Sequence, residues 1–255
     1  MLTFDRVATR LTPAMGPRIR LIALSLAMSF GLAMPAPVAA ACGDNYEHAV
    51  DHAVPQQTAE GARITTTLRT ASAYDWSDPG IGGHVGVHLW VATDSLEIAD
   101  TFVEVFLVDG KYPGTGGHRR YVASAQFDYP SSIELRYWSP LPPLNTTARL
   151  SAFHEGGTSY RATFSWNGAS GQTGYSGRSP NTIEFEAGVE ATHQCSRQDR
   201  VFITNVEFRR KSDNAWIDIN NQSLSDDTFA KTGPCVNATN FRAWINSATH
   251  TGVCQ

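Results

Sequence analysis

The chain has 255 residues, 42% of them hydrophobic, and a formal net charge of −4 from 20 Lys and Arg against 24 Asp and Glu. This balance argues against a nucleic-acid partner, because phosphate binding needs a concentrated basic stripe and the clusters "HRR" and "RRK" stand far apart. Four cysteines without a C-x-x-C spacing argue against a metal cluster and, as an even set, for two disulfides in an oxidising compartment.

In chain order, residues 1–40 read as a signal peptide. Arg6, Arg10, Arg18 and Arg20 precede the apolar run "LIALSLAMSFGLAM", and the small residues Val38 and Ala40 fit a cut before Ala41. That run is shorter than the roughly 20 residues of a membrane span. The expectation is export to the extracellular space or periplasm with no membrane span. Met15 is an alternative start, and acylation at Cys42 is an alternative to soluble export. Residues 41–62 read as a lead segment in which "YEHAVDHAVPQQTAEGA" has a helical look. His48 and His52 would share a face of that helix beside Asp51, but no Glu follows His48 and a third ligand is missing, so no metal is expected there.

From Arg63 onward the hydrophobic period is two. "HVGVHLWVAT", "TFVEVFLVDG", "RRYVASAQFD", "SIELRYW", "ARLSAFH", "YRATFSW", "TIEFEAGVEAT" and "VFITNVEFRR" alternate and are rich in β-formers. Turn clusters such as "SDPGIGG", "HEGGTS" and "NGASGQTGYSG" separate them. The expected fold is all-β, a single antiparallel sandwich of jelly-roll or concanavalin type over residues 63–230. Residues 231–255 form a Cys-containing C-terminal segment on the same domain. Of three possible pairings, Cys42–Cys195 with Cys235–Cys254 would tie each end down separately.

Strand alternation sorts the side chains into faces. Ile183, Phe185, Ala187, Val189 and Ala191 form one face of the late strand, and Glu184, Glu186, Gly188, Glu190 and Thr192 the other. The apolar set must face the core, since burying several unpaired carboxylates costs several kcal/mol each. By the same reading His84, Gly86, His88 and Trp90 point outward from one strand, and Phe102, Glu104, Phe106 and Val108 from another. Such a face could form a trough in which Trp90, Phe102 and Phe106, with His88 and Glu186, hold an extended peptide or polysaccharide. His84 and His88, about 13 Å apart at their Cα atoms on a strand, are read as groove-lining or solvated residues that cannot share an ion. Glu184 and Glu186 read as a solvated face. For Glu104 an ion pair with an Arg of a neighbouring strand is the structural alternative. Glu190, two residues after a strand glycine, is its better partner.

The order of these segments resembles the neprosin-type glutamic peptidases, secreted β-sandwiches with paired glutamates on a concave sheet face. "TFVEVFLVDG" would supply the first glutamate as Glu104, and "AGVEATH" the second as Glu190. The family's Gly-Trp pair is replaced here by Val105, Phe106 and Leu107. The resemblance implies peptide hydrolysis without a cofactor, the two carboxyls flanking a water as general base and general acid. The alternatives are a non-catalytic carbohydrate- or peptide-binding module and a secreted sandwich of unassigned function, and a monomer is expected in every case.

Overall fold

The computed structural model describes residues 47–55, 57–67, 69–72, 84–93, 101–110, 119–128, 132–138, 143–176, 181–182, 184–193, 195–219, 222–226, 230–234 and 240–245. All fall within one compact unit spanning Cys42–Gln255. The strands are β1 (Glu47–Ala53), β2 (Ala59–Thr67), β3 (Ala71–Ser72), β4 (His84–Ala92), β5 (Thr101–Gly110), β6 (Arg119–Asp128), β7 (Ser132–Trp138) and β8 (Thr147–Gly156). They continue with β9 (Ser159–Trp166), β10 (Ala169–Tyr175), β11 (Phe185–Ala191), β12 (Arg197–Arg210), β13 (Trp216–Asp218), β14 (Gln222–Asp226), β15 (Ala230–Pro234) and β16 (Phe241–Ile245). Among the described residues no helix is long and apolar enough to cross a membrane.

Two antiparallel sheets share one apolar core. The first runs β14-β1-β11-β4-β5-β6-β7, and the second β10-β9-β8-β2-β12-β16-β15, with β3 and β13 also pairing β12. Alternation places Val85, Val87, Leu89 and Val91 of β4 and Val103, Val105 and Leu107 of β5 in that core. From the second sheet they meet Ile64, Leu150, Phe164, Ile203 and Phe241. The Tyr175 hydroxyl crosses between the layers to the Ser124 hydroxyl at 2.6 Å. Asn167 and Gly168, both at positive φ, turn the chain between β9 and β10, as the tight hairpin there requires.

Three expectations are corrected. "EHAVDHA" is strand β1, not helix; its His48/His52 and Ala49/Ala53 spacings of four satisfy a period of two as well as 3.6, so periodicity alone could not decide. The described part of residues 41–62 belongs to the sandwich: β1 lies inside the first sheet and β2 inside the second. "ASGQTGY", taken as part of a turn cluster, is β10. It sits at a sheet edge, where backbone pairing to β9 suffices and few apolar side chains are needed. Two further strands, β15 and β16, reach into the C-terminal segment. The signal region, Cys42, Cys235 and Cys254 lie outside the described residues. Cys195 carries no free thiol.

Two glycines shape the outer face of the first sheet. A Cβ on Gly188 would stand 2.2 Å from the Ala49 carbonyl oxygen, and one on Gly86 would stand 2.2 Å from that of Leu107. Neighbouring backbones thus lean over that face at both positions, and any side chain there would collide with them.

Candidate active site on the outer face of the first sheet

β4 lies between β11 and β5, and register sets the neighbours. Gly86 faces Glu190, His88 faces Gly188, and Trp90 faces Glu186 across one edge. Across the other edge His88 faces Phe106 and Trp90 faces Glu104. β1 adds His48 opposite Glu190 and His52 opposite Glu186. The outer face read from the sequence is therefore the observed one, with Glu104, Glu186, Glu190, His84, His88, Trp90, Phe102 and Phe106 all on it.

The two histidines of β4 meet, contrary to expectation. Their ring centroids are 5.7 Å apart. Gly86, between them on the same face, has no side chain to separate the rings, and Glu190 approaches from the facing strand. Ligand-capable atoms of His84, His88 and Glu190 all lie within 4.8 Å of one another. Neither ring is solvated: His84 is 3% and His88 1% exposed.

Each carboxylate of the pair is held by a histidine. His88 Nδ1 donates to Glu104 Oε1, and His84 Nε2 donates to Glu190 Oε1 at 3.0 Å. The His88 ring stacks on Trp90 at 4.9 Å and on Phe106 at 5.3 Å. Phe106 is fully buried in a small cluster with Val108, Ala123 and Ala125. It supports His88 from behind and is not an open platform for a ligand. Trp90 and Phe102 are partly exposed. Of the two carboxylates Glu104 is the more buried and Glu190 the more open, their side chains being 9% and 18% exposed.

The electrostatics separate the two carboxyls. Burial pushes the Glu104 pKa up, the charge and hydrogen bond of His88 pull it back, and the net result is above the usual carboxylate value. Burial also acts on Glu190, but the hydrogen bond from His84 and the charges of His88, His84 and His48 outweigh it, leaving that carboxyl below its usual value. Burial pulls the His88 pKa down, yet the Glu104 charge and hydrogen bond prevail and raise it.

Glu184 and Glu186 are also corrected. They are not a solvated pair, because His52 Nδ1 lies 3.1 Å from Glu184 and 3.2 Å from Glu186. His48, His52 and His84 were not foreseen as partners of these glutamates. Their signal, a histidine every fourth residue on two strands, becomes readable only once β1 and β4 are known to flank β11.

No family model matches this chain, and no curated protein matches it. Among solved structures it is similar to a crystal structure of scytalido-glutamic peptidase with a transition state analog inhibitor, at 13% identity and a TM-score of 0.49. That match covers 79% of this chain and 98% of the other. It is also similar to the same peptidase with a peptide-based transition state analog, at 13% identity, TM-score 0.46 and the same coverage. A third similarity is to SCP-B, a member of the Eqolisin family of peptidases, in a complex with the tripeptide Ala-Ile-His, at 13% identity and TM-score 0.47, again over 79% and 98% of the two chains.

Proposed function

We propose that this chain is an exported hydrolase that cleaves an extended peptide lying across the outer face of the first sheet. The basic, apolar and small-residue order of residues 1–40 supports export. The observation that carries the reading is two hydrogen-bonded pairs side by side: two glutamates on neighbouring sides of β4, each bonded to a histidine, with His88 between them. Their opposite displacements of proton affinity support a division into base and acid. The peptide as substrate comes from the resemblance of the segments around Glu104 and Glu190 to neprosin-type peptidases.

In this mechanism Glu190, ionised and the more open of the two, takes a proton from the attacking water. His88, protonated and held by Glu104, donates from Nε2 to the leaving amine. Glu104 does not flank the water directly: it orients His88 and stabilises its charge, and His84 orients Glu190. Activity then requires Glu190 without its proton and His88 with one. With the first pKa lowered and the second raised, the working window spans acid to near-neutral pH. It closes on the alkaline side as His88 loses its proton.

The test is incubation of the mature protein with a mixed peptide library from acid to neutral pH. Glu190→Gln should lower kcat by about 10²–10⁴-fold, the usual worth of one proton-transfer role. Glu104→Gln should lower it and move the alkaline limb toward lower pH. Full turnover in Glu190→Gln would overturn the reading. The partly exposed Trp90 and Phe102 favour a second one, a module that binds a peptide or polysaccharide without cleaving it. Tight binding by wild type and Glu190→Gln alike, with no product from either, would establish that reading.

A further inference from the structure

The residues around Gly86 also form a ligand set. Two imidazoles and one carboxylate, from His84, His88 and Glu190, bring their donor atoms within 4.8 Å of one another. Bond lengths of 2.0–2.1 Å at a tetrahedral ion put donor atoms about 3.3 Å apart, so a small inward movement of the side chains closes the site. The His84–Glu190 contact at 3.0 Å is already that short.

A second observation concerns His88 itself. His88 is 1% exposed, and its Nε2 is buried with no hydrogen-bond partner among the described residues. The other nitrogen, Nδ1, is bonded to Glu104. With Nδ1 donating, the lone pair of His88 lies on Nε2, the atom that has no other use. A buried carboxylate on the far nitrogen of a ligating histidine fixes its tautomer and orientation, as in carboxylate–histidine–zinc sites. The rings stacked at 4.9 and 5.3 Å hold the imidazole plane in place.

We propose that His84, His88 and Glu190 bind a divalent transition-metal ion of the zinc class, with Glu104 positioning His88 as a ligand. Imidazole with a single carboxylate suits zinc or cobalt, whereas calcium and magnesium demand more oxygen donors. Three protein ligands leave a fourth position for water or a substrate oxygen, on the side where Glu190 is partly exposed. The inference rests on these residues and not on the hydrolase reading. The two uses exclude each other at any instant, because the ion takes the Glu190 oxygen and the His88 nitrogen that the acid–base mechanism employs. Zinc is then expected to suppress that hydrolysis.

The test is titration of the chelator-stripped full chain with Co²⁺, read by the visible absorption of a four-coordinate ion and by displacement with Zn²⁺. His84→Asn and His88→Gln should each weaken Co²⁺ binding by about 100-fold or more. Glu104→Gln should keep the spectrum and weaken binding by about 10–100-fold, the usual effect of losing such a partner. His52→Gln, in the neighbouring His52–Glu184–Glu186 group, should change nothing. Near-UV circular dichroism checks folding, and His84→Asn decides if His88→Gln fails to fold. No Co²⁺ spectrum from folded protein overturns the proposal, as does a spectrum lost in His52→Gln and kept in His84→Asn. Cobalt binding by a protein that cleaves no peptide even when stripped of metal would sink the hydrolase reading alone; cleavage in chelator without cobalt binding would sink this one alone.

Discussion

On the outer face of the second sheet Glu207 is gripped by Arg63 through two hydrogen bonds, at 2.5 and 2.7 Å. The same guanidinium lies 4.3 Å over the Trp216 ring. Arg209 stands 3.3 Å from Glu60 and 4.9 Å over Phe153. On the outer face of the first sheet Glu104, Glu184, Glu186 and Glu190 each lie against a histidine. Arginine stays charged at any physiological pH and locks a carboxylate into one state. Histidine exchanges its proton in that range and can also hand a lone pair to a metal. The second sheet thus holds its carboxylates chiefly by arginine, with His154 also 3.5 Å from Glu60, and the first sheet by groups that can exchange a proton or an ion.

The inner face of the first sheet offers a third case. Asp51 shares the core-facing side of β1 with Ala49 and Ala53 and is fully buried. Burial pushes its pKa up to about 7, against smaller opposing effects from the Ser223 backbone and the charge of His52. A carboxyl raised in the fold favours folding at low pH, where both states hold the proton. That advantage is lost as pH rises from the unfolded value toward the folded one. Asp51→Asn should thus have the same stability as wild type near pH 4. Above pH 7 it should be more stable by at most about 4 kcal/mol, converting the shift at 1.36 kcal/mol per unit. Urea midpoints at the two pH values test this; a gain that does not depend on pH would refute the assignment.

The arginine side of the contrast is broken by Arg63→Ala. It strands a largely buried Glu207 and removes the cover over Trp216, with an expected loss of about 3 kcal/mol by urea denaturation. The pH profile of any hydrolysis should not move, since the change lies on the other sheet. A shift in that profile would mean that the two faces are coupled. The smallest expected effect sharpens the histidine side. Gly188→Ala sets a methyl against the Ala49 carbonyl, and such overpacking costs about 1–3 kcal/mol. Because β11 must shift, turnover and cobalt affinity should fall together with stability. Wild-type stability would show that β1 does not lean over this position.

Which residues share a face was legible in the sequence, because alternation is a property of the strand itself. Glu104, Glu190, His84, His88 and Trp90 were all assigned outward from local pattern alone. The distance between His84 and His88 was misjudged because it depends on Gly86 placing no side chain between the rings and on a glutamate arriving from a strand about a hundred residues away in sequence. β1 was misread for a related reason: a spacing of four fits helix and strand alike, and only pairing to β11 and β14 resolves it.

By itself, then, the order of residues determined an all-β chain and the inward or outward direction of nearly every side chain that bears on the site. Tertiary structure alone decided which histidine meets which glutamate, which aromatic is buried, and that a carboxyl lies in the core. Direction follows from the two-residue repeat of one strand. Partnership follows from strand order and register across the sheet, which are set by contacts between residues far apart in the chain.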